Sequence, residues 1–176
     1  MGRNVKIVSE SSVWGNDLLM ILVLLGTQNN SFIRLLKEIE KCIDNGIIKE
    51  EVIAQIGNTD YSTDKMLVKK FYSPQEIEEF INNANYIITH GGVGSIIDSI
   101  KKNKKVIAVS RLKKYKEHIN DHQLQIVESL SQEGYIIGLK ELEKLDKAIK
   151  SIENFKPKEF ISNTSNMINK IIEYIN

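Results

Sequence analysis

A glycine-rich turn that begins with a histidine is the feature of the sequence best suited to chemistry. The turn HGGVGS, residues 90–95, follows the apolar run NYIIT (85–89) and opens a segment of helical period over 94–102. Gly91, Gly92 and Gly94 carry no Cβ atom, so a bulky anion can approach the backbone and the chain can adopt a positive φ. A diphosphate would use both properties. A tight strand-to-helix turn without a ligand is the alternative explanation.

The turn does not match the common phosphate-binding motifs. The chain contains no G-x-x-x-x-G-K-[ST], which excludes a P-loop nucleotide hydrolase at the level of the motif. G-x-G-x-x-G also fails, because Ile97 stands where its last glycine belongs, so a nicotinamide enzyme is disfavoured. HINDH (118–122) places two histidines four residues apart, as in a zinc motif, but no third ligand accompanies them. We expect no metal site and no cofactor.

Polar residues also follow two other predicted strands. Gly26, Thr27 and Gln28 come directly after the first strand, in LLGTQNNSF, and Arg111 opens the polar stretch RLKKYKEHINDHQLQ after the fifth. The carboxyl ends of parallel strands meet at one edge of a sheet, where ligands bind and helix N-termini attract anions. We therefore expect these segments and the glycine turn to converge on one site.

The elements that must position this site alternate along the chain. Short apolar runs predict strands at 21–25, 51–56, 66–72, 85–89, 105–110 and 135–138. Segments of helical period predict helices at 31–44, 74–84, 94–102, 118–133, 140–150 and 157–175. Asn29, Asn30 or Ser31 is the candidate cap of the first helix. Near-continuously apolar strands that alternate with helices predict a doubly wound, Rossmann-like parallel α/β sheet.

Composition places the chain among globular proteins of one domain. Its 176 residues carry 27% charged side chains but a net charge of only +1, so no global field selects nucleic acid as a partner. The lone Cys42 falls on an apolar helix face and is expected in the core. No apolar run is long enough to span a membrane. We read residues 1–19 as a non-native or poorly ordered extension, and residues 20–176 as the functional domain.

Three segments taken together resemble a known family. GTQ near Met20, then NYIITHGGVGSIIDSIKKNKKVIAVSR, then KYKEHINDHQLQ, are similar to the carboxyl-terminal, donor-binding half of GT-B glycosyltransferases of family 28. The resemblance covers about 20–175. It is greatest to small stand-alone subunits that contain only that half, such as the cytosolic subunit of the dolichol-linked N-acetylglucosaminyltransferase and bacterial exopolysaccharide and capsule subunits.

The resemblance implies a UDP-sugar in the cleft, and it assigns roles to matched residues. A glutamate that binds the ribose hydroxyls in the family corresponds to Asp98 here, which keeps the carboxylate but reaches less far. Ser110 replaces a proline common before Arg111, which puts the rigidity of that loop in doubt. The residues that the resemblance and the glycine turn assign to substrate binding are Gly26, Thr27, Gln28, Phe71, Tyr72, His90, Gly91, Gly92, Gly94, Ser95, Asp98, Arg111, His122 and Gln123. Gly26 to Gln28 face the diphosphate and sugar, the Phe71–Tyr72 backbone reads uracil, and His122 and Gln123 contact the donor sugar.

The same resemblance implies an incomplete enzyme. In two-domain relatives the acceptor site and its base lie on the other half, so activity here is expected to need a membrane-associated partner subunit and a polyprenyl-diphosphate-linked acceptor. His90 is only a weak candidate base, and His90 and His118 are both expected at the surface or in loops. The protein is then expected in the cytoplasm, recruited to the inner face of the membrane. A non-catalytic nucleotide-sugar-binding or scaffold protein of the same fold is the alternative.

Two further surfaces remain open to interpretation. The lysine clusters KKNKK (101–105) and KKYK (113–116) are either solvated faces or contacts to anionic lipid headgroups. In the last predicted helix an apolar stripe runs from Phe160 to Ile175. That stripe either packs on the sheet or docks the partner subunit. The bias toward Ile, Lys and Asn favours an AT-rich bacterium, and therefore an exopolysaccharide or capsule pathway.

Overall fold

The computed structural model describes residues 19–161 as one doubly wound α/β domain. The strands are β1 (Met20–Leu24), β2 (Glu51–Gln55), β3 (Leu67–Lys69), β4 (Ala84–His90), β5 (Lys105–Val109) and β6 (Ile137–Leu139). The α-helices are α1 (Ile33–Asp44), α2 (Pro74–Asn83), α3 (Val93–Lys101), α4 (His122–Gln132) and α5 (Leu145–Ile152). Short 3₁₀ turns lie at Lys113–Tyr115 and Leu142–Lys144.

All six strands are parallel and follow the order β3-β2-β1-β4-β5-β6. The order reverses direction between β1 and β4, which pair from Ile21 with Tyr86 to Leu24 with Thr89. At such a switch point the loops after the two central strands leave the sheet on opposite sides, which opens a crevice beyond their carboxyl ends. The predicted Rossmann-like parallel sheet is therefore confirmed, and β1 and β4 form its switch point.

Two apolar layers cover the two faces of the sheet. Ile21 and Val23 of β1 point to the layer formed with α1 and α5, and Leu22 and Leu24 point to the layer formed with α2, α3 and α4. Cys42 lies in the first layer, as predicted, where burial raises the pKa of its thiol to about 11. Since the central strands are buried on both faces, their ends are fixed in position.

The N-termini of α1 and α2 are fixed by different kinds of hydrogen bond. Ser73 and Glu76 form a capping box at α2, with Pro74 as its first residue, as the sequence predicts. At α1 the predicted polar caps are wrong. The helix is capped at Phe32, whose backbone N–H donates to Oγ1 of the buried Thr59 at 3.1 Å. A side chain 27 residues away in sequence cannot be found from local pattern.

Several predicted boundaries also move. The helix predicted from 118 begins at His122, because a 3₁₀ turn and a loop occupy the residues before it. Helix α5 begins at Leu145 instead of 140, and β3 and β6 are three residues each. Residues 157–161 are not helical, and the remainder of the predicted last helix lies outside the described residues, as do residues 1–18. Among the helices that the structure describes, none is long and apolar enough to cross a membrane.

Candidate functional site

The segments predicted to form a site do meet at the carboxyl edge of the sheet. The β1–α1 loop (25–32) and the turn after β4 (91–92) flank the switch point, and the β5–α4 loop (110–121) borders the turn on the far side. This adjacency follows from strand order, because β4 lies between β1 and β5. The prediction that three strand ends converge is confirmed.

His90 lies beneath the two glycine loops. Its Nδ1 is 3.2 Å from the carbonyl oxygen of Leu24, and because a carbonyl only accepts, Nδ1 carries the proton. The ring also fills the space in which side chains would stand at Gly26 and Gly92. A Cβ on Gly26, whose φ is +74°, would lie 2.6 Å from the ring, and one on Gly92 would lie 2.2 Å from Nε2. Only glycine allows both loops to approach the imidazole so closely.

The environment keeps this imidazole neutral. Burial, and to a smaller extent the positive charge of Arg111, lower the pKa of His90 from 6.5 to about 4, while the hydrogen bond to the Leu24 carbonyl opposes the shift. The expectation of a surface or loop position for His90 is wrong, since the residue is buried at the end of β4. A base with so low a pKa accepts a proton poorly at neutral pH. His90 is therefore better suited to shape the glycine loops than to deprotonate an acceptor.

The N-terminus of α3 is the part of the site open to an anion. Gly92 caps it with no side-chain hydrogen bond, and the first helical bond runs from Ile96 N to the carbonyl of Gly92. The N–H groups of the first turn before Ile96 therefore have no acceptor within residues 19–161. A Cβ built on Gly94 would meet no atom within 4 Å, so space is open beside the helix. Bare N–H groups and the helix dipole make this a favourable position for phosphate.

Ser95 and Asp98 follow on the same helix. Ser95 is half-buried, and its carbonyl accepts a hydrogen bond from Ser99 Oγ at 2.7 Å. Asp98 is exposed one turn into α3. Within the described chain no cation or hydrogen-bond donor engages its carboxylate. It is thus available to a ligand that rests on the start of the helix.

Arg111 takes a different position from the one predicted. It was expected to contact the donor, but it is 1% exposed and its guanidinium binds backbone. Nη2 donates to the carbonyl of Leu25 at 2.6 Å, and Nη1 donates to the carbonyls of Asn30 and, at 3.3 Å, Glu117. The buried Arg111 side chain therefore connects the β1–α1 loop to the β5–α4 loop.

Glu117 and Arg34 complete this connection, and the sequence analysis missed both. The Glu117 carboxylate accepts two hydrogen bonds from the Arg34 guanidinium, each 2.9 Å, and one from the backbone N–H of Leu112 at 3.1 Å. Glu117 is buried. We call Arg34, Arg111 and Glu117 the clamp. A glutamate within a lysine-rich segment looks like a surface residue, so only its burial reveals the role.

The predicted site residues at the start of α4 differ in burial. Gln123 is buried, and its Oε1 accepts from the backbone N–H of Arg111 at 3.2 Å, which leaves the amide NH₂ as a donor. His122 is exposed at the first turn. His118 precedes the helix predicted to begin there, and its Nδ1 lies 3.0 Å from the carbonyl of Asn120. His118 and His122 therefore do not share one helix. Across residues 19–161, no three His, Cys, Asp or Glu side chains are grouped to hold a metal ion.

The turn after β3 supplies the last predicted contact. Tyr72 is half-buried, its ring packs edge-on against Phe80, and its backbone N–H donates to Gln55 Oε1 at 2.9 Å. Phe71 is exposed, and its backbone N–H and C=O have no partner in the part of the chain that the structure describes. The Phe71 peptide groups are therefore free to pair with a ligand, whereas the Tyr72 N–H is occupied. Thr27 and Gln28 are exposed in the β1–α1 loop.

Comparison with known proteins agrees with this architecture. The chain is similar to the UDP-N-acetylglucosamine transferase subunit ALG13 of Candida albicans (strain SC5314 / ATCC MYA-2876). The two are 32% identical over 101 residues, which cover 56% of this chain and 32% of that protein. The chain spans between 8% and 43% of the length of the relatives it matches in this way.

Solved structures show the same fold. An NMR structure of ALG13 matches with a TM-score of 0.55 at 18% identity, covering 88% of this chain and 95% of that one. Os79 from O. sativa, solved in complex with UDP, matches with a TM-score of 0.58 at 14% identity, covering 89% of this chain and 35% of that one. The family model described as the glycosyltransferase family 28 C-terminal domain matches residues 20–175. The chain therefore belongs to the family of glycosyltransferase family 28 C-terminal domains.

Proposed function

We propose that this protein binds a UDP-sugar and serves as the donor-binding, catalytic subunit of a two-component hexosyltransferase. The observation that carries the proposal is the open N-terminus of α3 at the switch point, with unpaired N–H groups beside Gly94 and the free carboxylate of Asp98 one turn on. A diphosphate at the N–H groups would place a ribose within the reach of that carboxylate. Membership of the glycosyltransferase family supports the same ligand class.

The remaining contacts follow from the same placement. The free peptide groups of Phe71 are proposed to pair with uracil, since their N–H and C=O match the polar edge of the base. The exposed Thr27, Gln28 and His122 and the amide NH₂ of Gln123 are proposed to contact the sugar and diphosphate. UDP-N-acetylglucosamine is the first donor to test, because the similar ALG13 proteins are named as transferase subunits for it.

The chemistry of transfer suits a helix N-terminus. When the glycosidic bond to UDP breaks, negative charge grows on the leaving diphosphate, and fixed backbone donors stabilise it without reorganisation. The helix dipole adds to this effect. On this proposal the start of α3 supplies the stabilisation that a divalent cation provides in other enzymes.

The setting of the reaction is the finer part of the proposal. We place the protein with a membrane-associated partner subunit, as a heterodimer that acts on a polyprenyl-diphosphate-linked saccharide at the inner face of the membrane. The residue bias of the chain favours a bacterial exopolysaccharide or capsule pathway. The low pKa and burial of His90 support a base located on the partner.

Calorimetry with UDP tests the proposal. We expect micromolar binding that is unchanged by EDTA, and weaker binding of the 2′-deoxy nucleotide. Asp98→Ala should reduce the affinity about tenfold or more, since a hydrogen bond to a charged group contributes roughly 1.5–3 kcal/mol. Glu79→Ala, which removes an exposed carboxylate from α2, is the matched control and should bind UDP normally.

Three results would count against it. Strict dependence on magnesium or manganese would overturn the role of the α3 N-terminus. Equal affinity for ribose and deoxyribose nucleotides would overturn the role of Asp98. A protein that binds UDP-sugars but transfers no sugar with its co-expressed partner subunit would be a scaffold of the same fold instead of a catalytic subunit.

A further inference from the structure

The β5–α4 loop presents a basic and apolar surface beside the proposed donor site. Lys113, Lys114, Tyr115, Lys116 and Ile119 are all exposed, and we call these five residues the basic loop. Ile119 is 78% exposed and Tyr115 is 48% exposed, so two large apolar side chains stand in water among three lysines. The loop follows the carboxyl end of β5, which places it on the same edge of the domain as the α3 N-terminus.

The ammonium groups of this loop are available to a partner. In the described chain, no carboxylate forms an ion pair with Lys113, Lys114 or Lys116. The lysines of 101–105 behave differently. Lys102 pairs with Glu78 at 2.7 Å, and Lys104 Nζ donates to the carbonyls of Asn82 and Ala84 at 2.7 and 2.9 Å. Lys102, Lys104 and Lys105 at the amino edge therefore serve the fold. In the basic loop Lys114 Nζ lies 4.9 Å from the centroid of the Tyr115 ring, and the charges of its three lysines have no carboxylate partner among the described residues.

The basic loop is held in a fixed shape. The Arg34 guanidinium lies 4.4 Å from the centroid of the Tyr115 ring, and Asn30 Nδ2 donates to the carbonyl of Lys116 at 3.2 Å. Lys113–Tyr115 forms a 3₁₀ turn that ends at Lys116 in the left-handed region. Little conformational freedom is therefore left for a partner to remove on binding.

Acidic neighbours do not neutralise the surface. Glu117 is buried and paired with Arg34, and Asp121 accepts a hydrogen bond from the backbone N–H of Lys113. Glu141 lies near Lys114 but forms its ion pair with Lys144 at 3.0 Å. The exposed charge of the loop itself is therefore positive, and a surface that complements it is negative and accepts an apolar side chain.

We propose that the basic loop docks on an anionic lipid surface, with its lysines at the headgroups and Ile119 and Tyr115 in the interfacial layer. A lipid bilayer offers both parts of this chemistry in one plane, and basic residues next to apolar ones bind such surfaces. Because the loop shares an edge with the α3 N-terminus, docking would turn the donor site toward the membrane. This consequence rests on the proposed function, since it is useful only if the acceptor is lipid-linked.

Co-sedimentation of the full chain with vesicles tests the proposal. The vesicles contain phosphatidylcholine alone, or phosphatidylcholine with about a third phosphatidylglycerol as an anionic lipid. We expect binding to the anionic vesicles only, weakened by salt. K113Q/K114Q/K116Q should reduce the partition coefficient by about a hundredfold, because each lysine near an anionic surface contributes roughly fivefold. Ile119→Ser should reduce it by a smaller factor.

A charge-matched variant makes the result specific to the loop. K37Q/K49Q/K147Q removes three exposed lysines elsewhere and lowers the net charge by the same amount. It should bind anionic vesicles like the wild type. An equal loss in both variants would show a net-charge effect and overturn the proposal. Absence of binding to either vesicle would also overturn it, in favour of a protein partner for the loop.

Measurement of UDP affinity distinguishes failure of the lipid-docking proposal from failure of the proposed UDP-sugar-binding function. Both triple variants should bind UDP as the wild type does, because none of the six lysines lies in the proposed donor site. A wild type that binds anionic vesicles but not UDP would overturn the proposed function and leave the lipid surface supported. A wild type that binds UDP but not vesicles would overturn the lipid-docking proposal and leave the proposed function supported.

Discussion

At the scale of single residues, His90 shows how a site can use a histidine without using its proton chemistry. Its ring lies where side chains would stand at Gly26 and Gly92, so the imidazole and the two glycines are one packing unit. The Nδ1–H bond to Leu24 joins the ends of β4 and β1. The shape of the crevice at the switch point therefore depends on a neutral ring of this size.

The first prediction concerns the pH dependence of stability. The folded pKa of His90, about 4, lies below the unfolded value near 6.5, so the unfolded state binds more protons between them. The contribution of His90 to the unfolding free energy is complete above pH ~6.5. It falls as the pH drops toward ~4, by at most roughly 3 kcal/mol. His90→Asn, which keeps an N–H donor for Leu24 but does not titrate, should flatten that part of the profile.

Denaturant unfolding across this pH range provides the measurement. Subtracting the profile of the variant from that of the wild type removes the contribution of the carboxylates, which titrate in both. His122→Asn serves as the control, because His122 is exposed and its loss should leave the slope unchanged. Parallel profiles for wild type and His90→Asn would show that His90 titrates normally.

Adding a single methyl group at Gly94 should change UDP binding without disrupting the fold. Because a Cβ there meets nothing within 4 Å and α3 already includes the residue, Gly94→Ala should leave the fold intact. It should raise stability by up to about 1 kcal/mol, since alanine is the better helix former. A methyl group in the space proposed for the diphosphate should nevertheless weaken UDP about tenfold.

Thermal unfolding and UDP calorimetry on the same preparation measure both effects. Gly134→Ala is not a suitable control, because that glycine has a φ of +82°. Ser129→Ala, on α4, changes a half-buried helical residue by one atom and should alter neither property. Normal UDP affinity in Gly94→Ala would place the diphosphate elsewhere.

At the scale of elements, the clamp fixes the distance between two loops that leave different strands. Arg111 binds the carbonyls of Leu25 and Asn30, while Glu117 holds Arg34 at the start of α1. The loop after β1 and the loop after β5 therefore cannot move independently. The buried Glu117 carboxylate is costly to desolvate, and its hydrogen bonds to Arg34 and to the Leu112 N–H offset that cost.

We expect strong coupling between Arg34 and Glu117. Glu117→Ala should destabilise the protein by about 2–4 kcal/mol, because it leaves the buried Arg111 without a compensating charge. Arg34→Ala should cost less, since its side chain is 24% exposed and the remaining charge can be solvated in part. A double-mutant cycle by denaturant unfolding should give a coupling energy of about 1 kcal/mol or more. Additive effects would show that the ion pair contributes nothing beyond packing.

The same elements show what sequence can and cannot predict. The strands and most helices follow from apolar runs and helical period, and the capping box at Ser73 is local in sequence. The cap of α1 by Thr59 and the placement of Glu117 depend on contacts between distant segments. Arg111 was assigned to the ligand because it follows a strand end. A position after a strand end places a residue at the site edge, but it does not decide whether the side chain faces the ligand or is buried against the backbone, as Arg111 is.

At the scale of the whole molecule, the strand order explains why the convergence of these loops could be predicted. Any parallel sheet puts its carboxyl ends on one edge, so the glycine turns and the polar stretch after β5 had to converge there once the fold class was known. The order with β1 beside β4 brings Gly26 next to His90. The contact between Gly26 and His90 depends on tertiary structure and cannot be predicted from local sequence, and the burial of His90 results from it.

The domain matches less than half of each of its larger structural neighbours. The match to Os79 covers 89% of this chain but 35% of that protein. In the described residues the only histidine at the switch point is buried, with its pKa near 4. On the proposed function, the acceptor site and its base are supplied by the partner subunit, facing the carboxyl edge.

The last prediction follows from that arrangement. The purified chain should bind UDP but transfer little or no sugar to a lipid-linked acceptor, and activity should appear when the membrane-associated partner is added. A base near neutral pKa contributes about 10²–10⁴-fold to such a step, so its absence alone accounts for a loss of that order. Transfer assays with and without the partner, in detergent and in vesicles, measure the difference. Efficient transfer by the chain alone would require an acceptor base within this sequence. In that case His90→Asn should abolish the activity if His90 is that base, and His122→Asn is the next variant to examine.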